Sequence, residues 1–120
     1  MNEPAIQYVF FPKLSASEYL DWERKQTLKH EYDQGEIIAM SGASFNHNKI
    51  QSSLVVSIGS FLKEKDCNVF GNNLRVEVKS GDAYCYPDVT IICGEIEAAD
   101  EHLDVAKNPT VIIEILSPTT

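Results

Sequence analysis

Two short apolar runs, each with a carboxylate set into it, constrain this chain more than any other feature. The first is Tyr84-Cys-Tyr-Pro87-Asp88-Val-Thr-Ile-Ile-Cys93; the second is Pro109-Thr-Val-Ile-Ile-Glu114-Ile-Leu-Ser117-Pro118. Both are rich in β-branched residues and bounded by turn residues, so both read as buried strands. Glu114 sits between Val111-Ile112-Ile113 and Ile115-Leu116. An unpaired ionised carboxylate there would cost on the order of several kcal/mol, so Glu114 needs a proton, a cation or a metal. Asp88 stands at the mouth of the other strand. If the strands are neighbours, the two acids form a hard-oxygen pair suited to Mg²⁺ or Mn²⁺, with Asp88 and Glu114 as the ligands.

The rest of the chain supplies a scaffold for them. Ser15-Ala-Ser-Glu18 is a capping box, with Leu14 and Tyr19 as its hydrophobic staple, and predicts a short surface helix to about Lys25. Leu28 to Met40 reads as a hairpin turning at Asp33-Gln34-Gly35. Ser41 or Ser44 caps a longer helix to about Lys65, whose buried stripe is Ile50, Leu54, Ile58, Phe61 and Leu62. His47 falls one turn before Ile50 on that stripe, facing inward, either as a core histidine or as a group that orients a phosphate, a water or a carboxylate. From Cys67 to Lys79, Leu74, Val76 and Val78 alternate with Arg75, Glu77 and Lys79, one face buried and one polar. Arg75 is on the polar face, as a solvated charge or a phosphate contact. Ser80-Gly81-Asp82 turns the chain back into Tyr84. Gly94 to Asn108, with five acids, reads as a solvated loop that would repel DNA. The leader holds an apolar patch, Tyr8-Val9-Phe10-Phe11, and Ser117-Pro118-Thr119-Thr120 reads as a helix start.

At 120 residues the chain is expected to be one domain, residues 1–120. No apolar run is long enough for a membrane span and no signal peptide is evident, which points to the cytoplasm and away from the membrane. Cys67, Cys85 and Cys93 are odd in number and lack Cys-x-x-Cys spacing, so they read as reduced, mostly buried thiols. The net charge of −8 is awkward for binding phosphates, which draws on Lys and Arg. No phosphate-binding glycine loop or nucleophile elbow competes with the acid pair.

Pro87-Asp88 followed by a strand bearing Glu114 resembles the metal-binding half of the PD-(D/E)XK nuclease superfamily. More narrowly, His30-Glu31-Tyr-Asp-Gln-Gly35-Glu, Ser41-Gly-Ala-Ser-x-x-His47, Tyr86-Pro-Asp88-Val and Glu114-Ile-Leu-Ser-Pro118-Thr, in that order, resemble the Uma-type, restriction endonuclease-like family. The resemblance runs from Leu14 onward. It implies an α+β, or mixed α/β, fold with a restriction endonuclease-like core: a mixed β-sheet flanked by helices. It also implies Mg²⁺-dependent hydrolysis of phosphodiesters in nucleic acid, DNA first, by Asp88, Glu114, Glu31 and His47. Glu31 otherwise reads as an exposed strand carboxylate. The superfamily commonly carries Lys two residues after its Glu; that position here is Leu116. In the Uma-type family the Lys often comes from a following helix instead, so the expectation is a C-terminally incomplete domain. The alternative is a catalytically silent module that keeps the fold for interaction or dimerisation. A second strand apolar on both faces demands helices on both sides, and a homodimer is the expected remedy for a bare one.

Overall fold

The computed structural model describes residues 11–116. The apolar leader up to Phe10 and the Ser117–Thr120 helix start lie outside the described residues. The order of elements is α1 (Ala16–Glu23), β1 (His30–Asp33), β2 (Glu36–Ala39), α2 (Phe45–Phe61), β3 (Cys67–Phe70), β4 (Arg75–Val78), a 3-10 turn (Lys79–Gly81), β5 (Ala83–Cys85), β6 (Val89–Cys93), β7 (Val105–Ala106) and β8 (Val111–Ile113). The strands form two sheets, ordered β2-β1-β5-β4-β7 and β3-β6-β8. All pairings are antiparallel except β4 with β7.

Local chemistry accounts for the first half. Ser15 accepts from the Glu18 amide while Glu18 closes the capping box on the Ser15 amide. The hairpin turns on two residues, Gln34 at φ 47° and Gly35 at φ 93°, the positive pair that matches the twist of the flanking strands. Tyr19, the staple residue, is fully buried. Its ring stacks on Tyr32 at 4.9 Å and on Tyr84 at 5.5 Å, and its hydroxyl donates to the His30 carbonyl. Leu20 and Val105 complete this core, with Leu14, Trp22 and Ile37 against it. Phe11 meets Trp22 and His30 edge-on.

Four expectations need correction. Each of the two predicted strand regions, Cys67 to Lys79 and Tyr84 to Cys93, is split between sheets, at Gly71–Leu74 and at Tyr86–Asp88. The 94–108 segment is not simply solvated. Arg24 of α1 grips Asp104 through Nε at 2.9 Å and Nη2 at 2.8 Å, and Asp100 through Nη2 at 2.9 Å. That anchor lets Val105–Ala106 add to the sheet as β7. Helix α2 turns His47, Gln51, Leu54, Ile58 and Leu62 inward while Ile50 and Phe61 are exposed, so the stripe is rotated from the expected phase. Strand β8 is not buried on both faces, since Val111 and Ile112 are exposed.

The cysteine reading is also overturned. Cys67 and Cys93 are directly opposed on β3 and β6 and form a disulfide, leaving Cys85 as the free thiol among the described residues. Cys93 is exposed and the other two are half-buried. Closing a loop with a sequence separation of 26 restrains the unfolded chain by about 3 kcal/mol. A non-reducing peptide map should therefore recover the Cys67–Cys93 linkage, and a phosphine reductant should lower the melting temperature by several degrees. Free thiols at both positions together with an unmoved melting curve would refute the pairing.

Candidate functional site

The site forms where the split strands part. β5 ends at Cys85 in one sheet and β6 begins at Val89 in the other, so Tyr86-Pro87-Asp88 bridges them. β6 pairs with β8 with Val89 opposite Ile113. One further step along that register sets Asp88 opposite Glu114. β1 pairs with β5 with Tyr32 opposite Tyr84, and one further step sets Glu31 opposite Cys85. Three elements thus bring Glu31, Asp88 and Glu114 to the same junction.

Asp88 is held at both carboxylate oxygens and at its carbonyl. Its Oδ1 lies 2.8 Å from His47 Nε2, its Oδ2 accepts from the Ile115 amide at 2.7 Å, and its carbonyl accepts from Gln51 Nε2 at 2.9 Å. His47 and Gln51 are one helical turn apart on α2, so a single face of that helix holds both ends of the residue. With Asp88 ionised, Nε2 is the His47 nitrogen that carries the hydrogen. The Asp88 and His47 side chains retain 14% and 19% of their exposure, sheltered but within reach of a ligand. Glu31 is fixed in turn by accepting from the Tyr86 amide at 3.0 Å.

The electrostatics of the junction are those of crowded acids. The Glu114 carboxyl is raised from its ordinary value to about 7, first by burial and then by the negative charge of Asp88 and Glu31, with His47 opposing. Glu114 is exposed as a residue, so solvent screens part of this repulsion. The Cys85 thiol is pushed up to about 11 by burial and by Glu31 and Glu114, which makes it a poor nucleophile at neutral pH.

Below Tyr86 lies a buried polar chain. Tyr86 donates its hydroxyl to Glu23 Oε2 at 2.7 Å and accepts from Arg75 Nε at 2.9 Å. Burial raises the Tyr86 hydroxyl to about 12. Arg75 is only 8% exposed, and its Nη1 lies 3.6 Å from Asp104. The expected solvated or phosphate-facing arginine is therefore an interior brace, because the polar face of β4 packs under Tyr86 and not against water. Glu114, Asp88, Glu31 and His47 are gathered together; Arg75 is not among them. Sequence reasoning missed the anchoring roles of Gln51, the Ile115 amide and the Tyr86 amide. Only the i, i+4 spacing of His47 and Gln51 hinted at them.

Among the described residues, one group of three ligand types has donor atoms within 4.8 Å of one another: Asp100, Glu101 and His102, on the loop held by Arg24. The three junction carboxylates are spread more widely. Their donor set nevertheless fits a divalent cation. It is all hard oxygen, each Asp88 oxygen keeps a second lone pair beyond its hydrogen bond, and added positive charge would relieve the repulsion that lifts Glu114.

Comparison with known proteins agrees with this architecture. Residues 16–120 match the family model described as "Uma2: Putative restriction endonuclease". Two proteins of Synechocystis sp., the uncharacterized slr1290 and sll1609, are each 36% identical over 92% and 87% of this chain, which covers 57% and 59% of their lengths. A crystal structure of "a putative nuclease belonging to DUF820" from Anabaena variabilis superposes with a TM-score of 0.72 at 26% identity, over 89% of this chain and 60% of that one. The chain thus spans less than two thirds of each of these relatives.

The Glu114 shift has a measurable consequence for stability. An acid whose folded value is raised destabilises the fold as it ionises. Stability is therefore greatest below the ordinary value of 4.5 and is lost as pH rises toward about 7. In the metal-free protein Glu114→Gln should flatten the stability profile between pH 5 and pH 8. At pH 8 it should stabilise the fold by about 1 kcal/mol, allowing for solvent screening. A parallel profile for parent and variant in urea titrations would show that the acids do not interact.

Proposed function

From the premise that the chain belongs to the Uma2 restriction endonuclease family and has its α+β fold, a mixed sheet flanked by helices, we propose that it is a Mg²⁺-dependent endonuclease-like protein acting on nucleic-acid phosphodiesters, DNA first. The observation that carries the reading is the meeting of Glu31, Asp88 and Glu114 at one junction, with the Asp88 carboxylate oriented by His47 and by the Ile115 amide.

Asp88 and Glu114 are the proposed ligands of Mg²⁺ or Mn²⁺, with Glu31 beside them. When bound, the ion would supply an activated water and charge stabilisation at the leaving oxygen. The chain's own residues do the rest. His47 and the Ile115 amide keep the Asp88 carboxylate turned toward the junction. Gln51 fixes the Asp88 main chain against α2. The Tyr86 amide holds Glu31, and the half-protonated Glu114 offers a group able to take up or release a proton near neutral pH. The proposed setting is the cytoplasm, with nucleic acid as the substrate. Among the described residues no helix is long and apolar enough to cross a membrane.

One observation favours a second reading, a catalytically silent module. Leu116 stands where the superfamily commonly places its lysine, and its side chain is 88% exposed. A plasmid-nicking assay with Mn²⁺ decides between them. Cleavage abolished by Asp88→Asn supports the enzyme; no Asp88-dependent cleavage leaves the silent module.

Metal binding is tested separately from cleavage. Mg²⁺ or Mn²⁺ at a hundred times its dissociation constant should stabilise the fold by about 2.7 kcal/mol, and Asp88→Asn should remove most of that gain. No calorimetric heat at millimolar metal would dismiss the site. Homodimerisation through the exposed apolar residues of β8 and its extension, Val111, Ile112 and Leu116, is read by light scattering at micromolar concentration. A clean monomer would reject it.

A further inference from the structure

The net charge of −8 hides a strong segregation. Acids occur throughout the chain, yet none lies between Glu36 and Glu64. That acid-free stretch contains all of α2, the helix whose inner face clasps Asp88. Its outer face is formed by Phe45, Lys49, Ser52 and Val56 at helical spacing, with Lys63 and Lys65 following its end. Phe45 is 88% exposed and Val56 is 68% exposed. Elsewhere, among the described residues, the cations are engaged except Lys25 and Lys107. Lys13 pairs with Glu36, Lys79 with Asp33, Arg24 with Asp100 and Asp104, and Lys29 donates to Asn72 and Asn73. Among the described residues Lys49, Lys63 and Lys65 have no carboxylate partner, and Lys65 lies 5.1 Å above the Phe61 ring.

We propose that the outer face of α2 is the nucleic-acid contact surface of this chain, with Phe45 stacking an unpaired base and Lys49 holding the adjacent phosphate. The inference rests on the nuclease reading and names the surface it requires. Three features select the occupant. A polyanion is favoured by a helix that carries Lys49 and no acid, although Glu64 and Asp66 alternate with Lys63 and Lys65 beyond its end. An aromatic ring left in water two residues from His47 is a stacking platform that any base can use. The face shares its helix with the junction, since Phe45 is in the first turn of α2, two residues before the His47 that holds Asp88. A second copy of this chain is disfavoured as occupant, since charge complementarity to Lys49 would need an acidic partner face, and Asp100 and Asp104 of the 94–104 loop are already held by Arg24.

The test is fluorescence anisotropy of a fluorescein-labelled oligothymidylate, with Ca²⁺ in place of Mg²⁺ so that binding is read without cleavage. Both side chains are exposed, so the variants should melt like the parent. Phe45→Ala should weaken binding about tenfold and Phe45→Trp should restore it. Lys49→Glu should weaken binding and reduce the slope of log affinity against log salt by about one. Lys25→Glu, at an exposed position two residues past the end of α1, should change little. Binding by Phe45→Ala and Lys49→Glu within twofold of the parent would overturn the surface while leaving the Asp88-dependent metal and nicking results intact. A parent chain that does not bind the oligonucleotide would overturn both the surface and the choice of substrate. Loss of self-association in Phe45→Ala, with unchanged oligonucleotide binding, would assign the face to a second copy instead.

Discussion

The Glu23 carboxylate is the interaction on which the remaining structure leans. Its side chain is 1% exposed, and a buried charge is tolerated only when its lone pairs are satisfied. Oε2 accepts from the His30 amide at 2.7 Å and from the Tyr86 hydroxyl, and Oε1 lies 2.9 Å from His30 Nδ1. One residue of α1 thereby fixes the start of β1 and the end of β5. The next residue, Arg24, fixes the acidic loop that contributes β7. Without Glu23, the Tyr86 hydroxyl would lose the acceptor for its hydrogen and keep only the bond it accepts from Arg75.

Function follows from what that anchoring does to Tyr86. Its hydroxyl is held from below by Glu23 and Arg75, while its amide holds Glu31 above. Pro87 cannot donate to a ladder, so the chain leaves one sheet there and enters the other. The two residues after Tyr86 carry the chain from a rigid interior to Asp88. The carboxylates are therefore placed by main-chain donors and strand register and not by long flexible side chains, the kind of support a precise ligand set requires. The repulsion stored in Glu114 is tolerable because its residue faces solvent.

Much of this was legible in the residues. The capping box and the Gln34-Gly35 turn are local signals, and each appears where chemistry puts it. The acid pair is read from carboxylates set into β-branched runs; the register does bring Asp88 opposite Glu114, but Glu114 follows β8 and is exposed, not buried in the strand. What escaped was long-range. Arg24 and its aspartates are 76 and 80 residues apart, and no periodicity links them. Arg75 alternates as a polar residue should, but the face it marks is covered by Tyr86. The phase of α2 was ambiguous because apolar residues occupy nearly every side of it. The contacts of His47 and Gln51 with Asp88 decided the rotation, a polar choice that a hydrophobic count cannot make. The opposition of Cys67 and Cys93 depends on strand register, which only the folded pairing reveals.

Net charge misleads for the same reason that composition does: it averages over surfaces that never meet the same partner. Asp100 and Asp104 are held well below the usual carboxylate range by their hydrogen bonds, Asp100 first by the His102 amide and Asp104 first by Arg24. They are therefore ionised but matched by cations of the same molecule. The junction acids are unmatched and would repel a phosphate until a divalent cation arrives. An acid-free helix beside them changes what an approaching strand experiences. Attraction at short range is governed by the nearest charges, because the field of those beyond about 10 Å is screened at physiological salt. A strand over α2 meets Lys49 before it meets the bulk of the chain's negative charge. Placing the acids where a metal neutralises them, and removing them from the neighbouring helix, lets an acidic protein retain a surface that a nucleic acid can approach.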